Sequence, residues 1–234
     1  MPDWLPEAAA AVLAVVIAIT FHEAAHGYAA RALGDPTAAM LGRLSLNPIR
    51  HVDPVGTLLV PAILLGSQLL ATGRVDVLFG WAKPVPVDIR HFANPRVGMM
   101  WVAAAGPAMN AALALLAGFA IHAVVLGESF LSADSVSWFY RFLGLFILAN
   151  LVLGLFNLFP IPPLDGGRIL VGLLPLRAAM AWARLEPAGL FLVIGVLFLL
   201  PMAIPAFQPM DWFVRELVRP AFNLVLRAAG HEFP

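Results

Sequence analysis

His22, Glu23 and His26 fall within five residues of one another in FHEAAHGYAARALG, residues 21–34. On an α-helix, residues i and i+4 lie one turn apart on the same face, so both imidazoles can be aimed at one point with Glu23 beside it. This H-E-x-x-H spacing is that of two zinc ligands and a general base. Zinc lowers the pKa of a bound water to about 7, and Glu23 is the carboxylate placed to take its proton. A catalytic zinc has three protein ligands and one open position. Past His26 the helix offers no further His or acid until Asp35, so the third ligand must come from elsewhere. Asp165 in NLFPIPPLDGGRIL is the candidate, in a stretch whose prolines and glycines force irregular backbone. The alternative is an aspartate that only opens a D-G turn.

The element that must carry these groups is apolar: AAAAVLAVVIAIT, residues 8–20, precedes the motif without a charge. Across 234 residues, 61% are hydrophobic and 12% charged, with a mean hydropathy of +0.88, which is the composition of a multi-pass membrane protein. An ionisable residue in a bilayer costs a few kcal/mol or more and marks a functional site by default. There is no cysteine, so a metal must use His, Asp or Glu. Zero net charge and scattered basic residues leave no footprint for nucleic acid.

Uncharged or nearly uncharged runs fall at about 8–33, 55–71, 97–127, 138–160 and 187–207. At about 20 residues per span, four are long enough to cross, whereas 55–71 is short and interrupted by Pro61 and Gly66. The expectation is an all-α polytopic membrane protein with about four to six transmembrane helices and a re-entrant or extended segment near the site. Residues 1–209 form the membrane domain, with a motif core of about 10–175. Residues 210–234, Met210 followed by DWFVRELVRPAFNLVLRAAGHEFP, read as a C-terminal amphipathic tail lying at the interface. The N-terminus carries Asp3 and Glu7 and no basic residue, whereas Arg31, Arg43 and Arg50 stand at and beyond the far end of the first helix. That bias puts the N-terminus outside, makes the helix a retained span rather than a signal peptide, and puts His22 and His26 toward the cytoplasmic half. For Asp165 to reach the same depth, 55–71 must be re-entrant, or the proline-rich FGWAKPVPVDIRHFANP must return through the membrane. Arg215, Arg219 and Arg227 then fall outside, against the same rule.

With these elements in hand the chain resembles the site-2 protease family of intramembrane zinc metalloproteases, in the compact variant without PDZ or CBS domains. The resemblance rests on HEAAH at 22–26, AGPAMN at 105–110 and NLFPIPPLDGG at 157–167, with HVDP and GWAKPVPV between them. It implies one zinc per chain held by His22, His26 and Asp165, with Glu23 as base. It also implies that Asn110 and Asn157 position the substrate peptide, a membrane protein with a transmembrane helix, in a prokaryotic cell membrane with the active site toward the cytoplasm.

Read without the family, Gly106 and Asn110 also fit a small-residue packing surface with one polar contact, and Asn157 fits a helix end beside Pro160. His51 and Asp53 in RHVDP are either a possible second shell around the ligands or loop residues with Asp53 opening a turn. Trp81 and Lys83 read as interface anchors, and His91, His122 and His231 receive no role. The extended segments LGRLSL and KPVPVDI could hold an unwound substrate strand by edge pairing. Two rival readings are a membrane zinc transporter, which needs ligands at several depths where one cluster is present, and a catalytically silent membrane scaffold, which has no need of Glu23.

Overall fold

The computed structural model describes residues 4–73 and 80–231. Asp3, Phe79 and the last three residues of the tail therefore lie outside the described residues. Among the described residues four helices are long and apolar enough to cross a membrane and no strand is formed.

Helix α1 (Trp4–Ala32) owes its packing to a row spaced by four: Ala10, Ala14, Ala18, His22, His26 and Ala30. The four alanines of that row are buried, because methyl groups let neighbouring helices approach closely where no water drives association. Val12, Leu13 and Val15, off this row, are exposed, as suits side chains turned to lipid. The same row thus leads from a packing stripe into the motif.

After α1 the chain turns through a short helix, Thr37–Met40. It then enters a π-type stretch, Pro54–Leu59, whose first N–H groups are capped by Asp53. Helix α2 (Val60–Thr72) continues from it. Where the sequence suggests a break at Pro61 and Gly66, the chain is helical through both. Pro61 lies where the wider π-type turns give way to α2, so it is accommodated inside a continuous helical stretch instead of ending it.

Residues 81–88 lie in no helix, and the inward N–H groups at 81, 83 and 85 alternate as they do along an extended chain. Trp81 donates to the Gly56 carbonyl (3.1 Å) and Lys83 to the His51 carbonyl (2.9 Å). Val85 donates to Glu23 Oε2 (3.1 Å). Pro84 and Pro86 fall at the intervening positions, where no inward donor is required. The Arg43 guanidinium donates to the Lys83 and Pro84 carbonyls. Because Trp81 lies back beside Gly56 and Thr57, the excursion that begins with α2 ends at the level where it started. By residue 81 the chain is thus back beside the start of the excursion, as a re-entrant segment would be.

Helix α3 (Pro95–Gly127), capped by Asn94, packs on α1, on α4 (Ala133–Asn157) and on α5 (Asp165–Leu173). Helix α6 (Leu176–Ala203) is the fourth long apolar helix. The tail forms a further helix, α7, over residues 209–228, and Phe213, Val218 and Leu226 join Phe146, Ile147 and Leu151 of α4 in the main core. His122 and His231, given no role from sequence, fasten this helix. Their rings stack at 4.3 Å, with His122 Nε2 donating to the Ala229 carbonyl and His231 Nε2 to that of Gly118.

Asp35, fully buried just past α1, ties the extended segment to α1. It accepts from the Thr37 amide and hydroxyl and from the Asp88 N–H at 2.8 Å. His91 Nδ1 stands 3.0 Å from its other side. Burial pushes the Asp35 carboxyl up, but the Thr37 hydroxyl, the Asp88 and Thr37 amides and His91 together bring it below the usual carboxylate range. A folded-state value below the unfolded one gives stability that is fully present above about pH 4 and is lost progressively as pH falls from there through the lower folded-state value. Asp35→Ala, which strands those donors, is expected to cost about 1–3 kcal/mol. It should also flatten the acid limb of thermal unfolding measured in detergent between pH 7 and pH 3.

Candidate metal centre

Two elements deliver three donor atoms to a single point. His22 and His26 come from α1, one turn apart, and Asp165 is the first residue of α5. His22 Nε2 and His26 Nε2 are 3.1 Å apart, and Asp165 Oδ2 lies 3.2 Å from the first and 3.3 Å from the second. Among the described residues this is the group of three His or acidic side chains able to hold a metal ion.

The hydrogen bonds behind the ligands decide what those atoms are. His26 Nδ1 faces the Val102 carbonyl at 2.7 Å; a carbonyl only accepts, so Nδ1 carries the proton and Nε2 presents a lone pair. His22 Nδ1 faces Asn110 Oδ1 at 2.6 Å, which has the same consequence for its Nε2. Asp165 Oδ2 is buried and receives no hydrogen bond. Three acceptors thus converge with no donor among them. A proton on either imidazole would serve one contact and leave the others unmatched, whereas a cation serves all three. Nitrogen and oxygen donors bound to one tetrahedral ion at about 2.0–2.1 Å stand about 3.3 Å apart, close to the spacings found.

Local sequence explains how each part arrives. Gly106, in AGPAMN, lies directly against both imidazoles: a Cβ there would stand 2.5 Å from His26 Nε2 and 2.6 Å from His22 Cε1. The prolines at 160, 162 and 163 fold the chain back over the start of α5. A Cβ on Gly166 would strike the Leu158 and Phe159 carbonyls, and one on Gly167 would stand 2.5 Å from Pro162 N. The DGG run therefore lets the loop close over the helix start that carries Asp165. A carboxylate in a helix's first turn also meets the positive end of its dipole.

Glu23 is partly buried next to the cluster, one oxygen held by the Val85 N–H. Asn110 is fully buried and touches His22, one of the three candidate donors. Asn157 instead donates to the Leu153 carbonyl one turn back on its own helix. His51 is buried and its Nε2 donates to the Ser45 carbonyl, while Asp53 caps the helix that follows it; neither touches the three donors. Sequence reading passed over Asn150, whose Oδ1 accepts from Asn110 Nδ2 at 2.8 Å. Its signal was a lone amide in the uncharged run FLGLFILANLVLGLF, which a membrane interior obliges to find a partner.

A model of peptidase family M50 matches residues 123–201, the part of the chain that carries Asp165. "Putative zinc metalloprotease YwhC" of Bacillus subtilis (strain 168) is 38% identical over 219 residues, covering 92% of either chain. "Putative zinc metalloprotease Rip2" of Mycolicibacterium smegmatis is 31% identical over 190 residues, 80% of this chain and 65% of that one. The protein of the same name from Mycobacterium tuberculosis (strain ATCC 25618 / H37Rv) is 31% identical over 202 residues, 84% and 71%. No solved structure matches.

Gly106→Ala tests the packing of the donors. The added methyl must push both imidazoles aside, so the variant should keep its helical circular dichroism yet lose most of the metal that wild type retains on purification, as read by elemental analysis.

Proposed function

The chain belongs to peptidase family M50, and from that premise we propose that this integral membrane protein hydrolyses peptide bonds within or near the membrane-spanning segments of other membrane proteins. The observation that carries the reading is the convergence of His22, His26 and Asp165, three bare acceptors at 3.1–3.3 Å, beside the carboxylate of Glu23. The relatives' names specify zinc, and the donor set of two imidazoles and a carboxylate suits it. Zinc bound there supplies a Lewis acid for the scissile carbonyl and water acidified to a pKa near 7.

The chain's own groups do the rest. Glu23 takes the proton of the attacking water and returns it to the leaving nitrogen. The Val85 N–H holds Glu23 Oε2, which fixes the carboxylate's orientation and leaves Oε1 for the proton. A helical substrate hides its carbonyls, so it must be unwound before cleavage. The extended segment 81–88 runs beside Glu23 and has carbonyls but, at Pro84 and Pro86, no N–H on its other edge. A substrate strand laid against that edge would be held through its own donors. Asn157 keeps one amide hydrogen beyond its bond to the Leu153 carbonyl, and that hydrogen is proposed to meet the substrate carbonyl. The site faces the cytoplasmic half of a prokaryotic membrane, in line with the arginines that follow His26.

The test is cleavage of single-span model substrates by purified protein in liposomes, with zinc measured on every variant. Glu23→Gln should keep zinc and lose about 10²–10⁴-fold in rate. Asp165→Ala should lose both zinc and activity. Cleavage that survives in Glu23→Gln overturns the assignment. Val85→Pro removes one N–H from an already extended segment and is expected to lower kcat about tenfold to a hundredfold, the worth of one hydrogen bond to a charged group, with zinc retained.

A further inference from the structure

We propose that Asn150 is a positioning residue of the metal centre: acting through Asn110, it holds His22 in the tautomer whose Nε2 is bare. The inference rests on the zinc reading above, but it concerns a hydrogen-bond chain that exists whether or not an ion is bound.

The argument is one of polarity. The Phe146 carbonyl can only accept, so the end of the Asn150 amide facing it at 2.8 Å is Nδ2. Asn150 Oδ1 then points at Asn110, which must answer with its own Nδ2, 2.8 Å away. That turns Asn110 Oδ1 toward His22 Nδ1 at 2.6 Å, and Nδ1 must carry the proton. His22, Asn110 and Asn150 are all buried, the two amides completely. An amide that reversed here would face a like group with nothing else to pair with.

The two histidines therefore obtain the same tautomer by different routes. His26 is set directly by a backbone carbonyl, that of Val102. His22 meets a side-chain amide, which has a donor end and an acceptor end and so specifies nothing until it is itself oriented. Besides Asn150, Asn110 Nδ2 has the Ala18 carbonyl at 3.3 Å, a longer contact. Without Asn150 that one contact holds the amide. A reversed Asn110 would donate to His22 Nδ1 and place a proton on Nε2, where the metal should bind. Gly154, one turn beyond Asn150, leaves room for Asn110, since a Cβ there would stand 3.1 Å from Asn110 Cβ. Second-shell partners that fix a ligand's tautomer are typically worth about 10–100-fold in metal affinity.

The experiment measures zinc affinity of the full chain in detergent by competition with a chelator, together with ¹⁵N NMR of the histidines in the metal-free protein. Asn150→Leu, close to isosteric, should weaken zinc about 10–100-fold and add an Nε2–H signal for His22. Combined with Asn110→Asp, whose two oxygens can only accept from His22, the same Asn150→Leu should weaken zinc far less. Equal losses in both backgrounds, or no loss and an unchanged tautomer, overturn the proposal. Should the leucine variant fail to fold, Asn150→Ser keeps a donor for Phe146 and gives up the reach to Asn110, and the same outcomes apply. If wild type binds no zinc, the reading of the protein as a zinc enzyme fails, and the His22 tautomer in Asn150→Leu alone decides this inference.

Discussion

Three lone pairs meeting at one largely buried point are the feature on which the rest of this structure depends. His22 Nε2, His26 Nε2 and Asp165 Oδ2 stand 3.1–3.3 Å from one another, an arrangement that repels itself unless a cation is present. Holding it requires that every group behind it be paired, since an unpaired polar group at membrane depth costs several kcal/mol. The Val102 carbonyl meets that demand for His26. For His22 it is met by Asn110 and Asn150, which reach from α3 and α4. The amides thus bind α1, α3 and α4 together at the level of the site.

Close approach is the second requirement, and small residues provide it. The alanines of α1 recur at the spacing that also places His22 and His26, so one helix row packs the bundle and presents the ligands. Gly106 does the same from α3, where any side chain would occupy the volume of the imidazoles. Van der Waals contact and interhelical hydrogen bonds replace the hydrophobic effect as the source of association here. The exposed Val and Leu side chains of α1 are apolar for lipid rather than for the core.

Two carboxylates of the first helical region hold the extended segment. Glu23 takes the Val85 N–H and Asp35 the Asp88 N–H, so the segment is registered against the same helix that carries the ligands. Prolines at 84 and 86 suit this register because the donors that matter sit at 81, 83 and 85. Glu23 is consequently oriented by a backbone group whose position depends on the helical excursion preceding it.

What could be read from sequence was local. H-E-x-x-H defines its own geometry because four residues on a helix are one turn, and the apolar runs announce their helices because a bilayer sets both length and composition. Asp165 could be nominated from the irregular backbone around it, and the need for a re-entrant segment followed from requiring its depth to equal that of His22. Pro61 misled, because proline's effect depends on where in a helix it falls. What only the tertiary structure decided were partnerships across long separations: Asn150 with Asn110, forty residues apart, Val85 with Glu23, and Asp35 with Asp88 and His91. A buried amide or carboxylate declares in sequence that it needs a partner, but the hydrogen bond's direction and its other end are set by which helix faces are brought together. Tautomer, ligand orientation and the aim of Glu23 all depend on that choice, and none of it has a periodicity to be read.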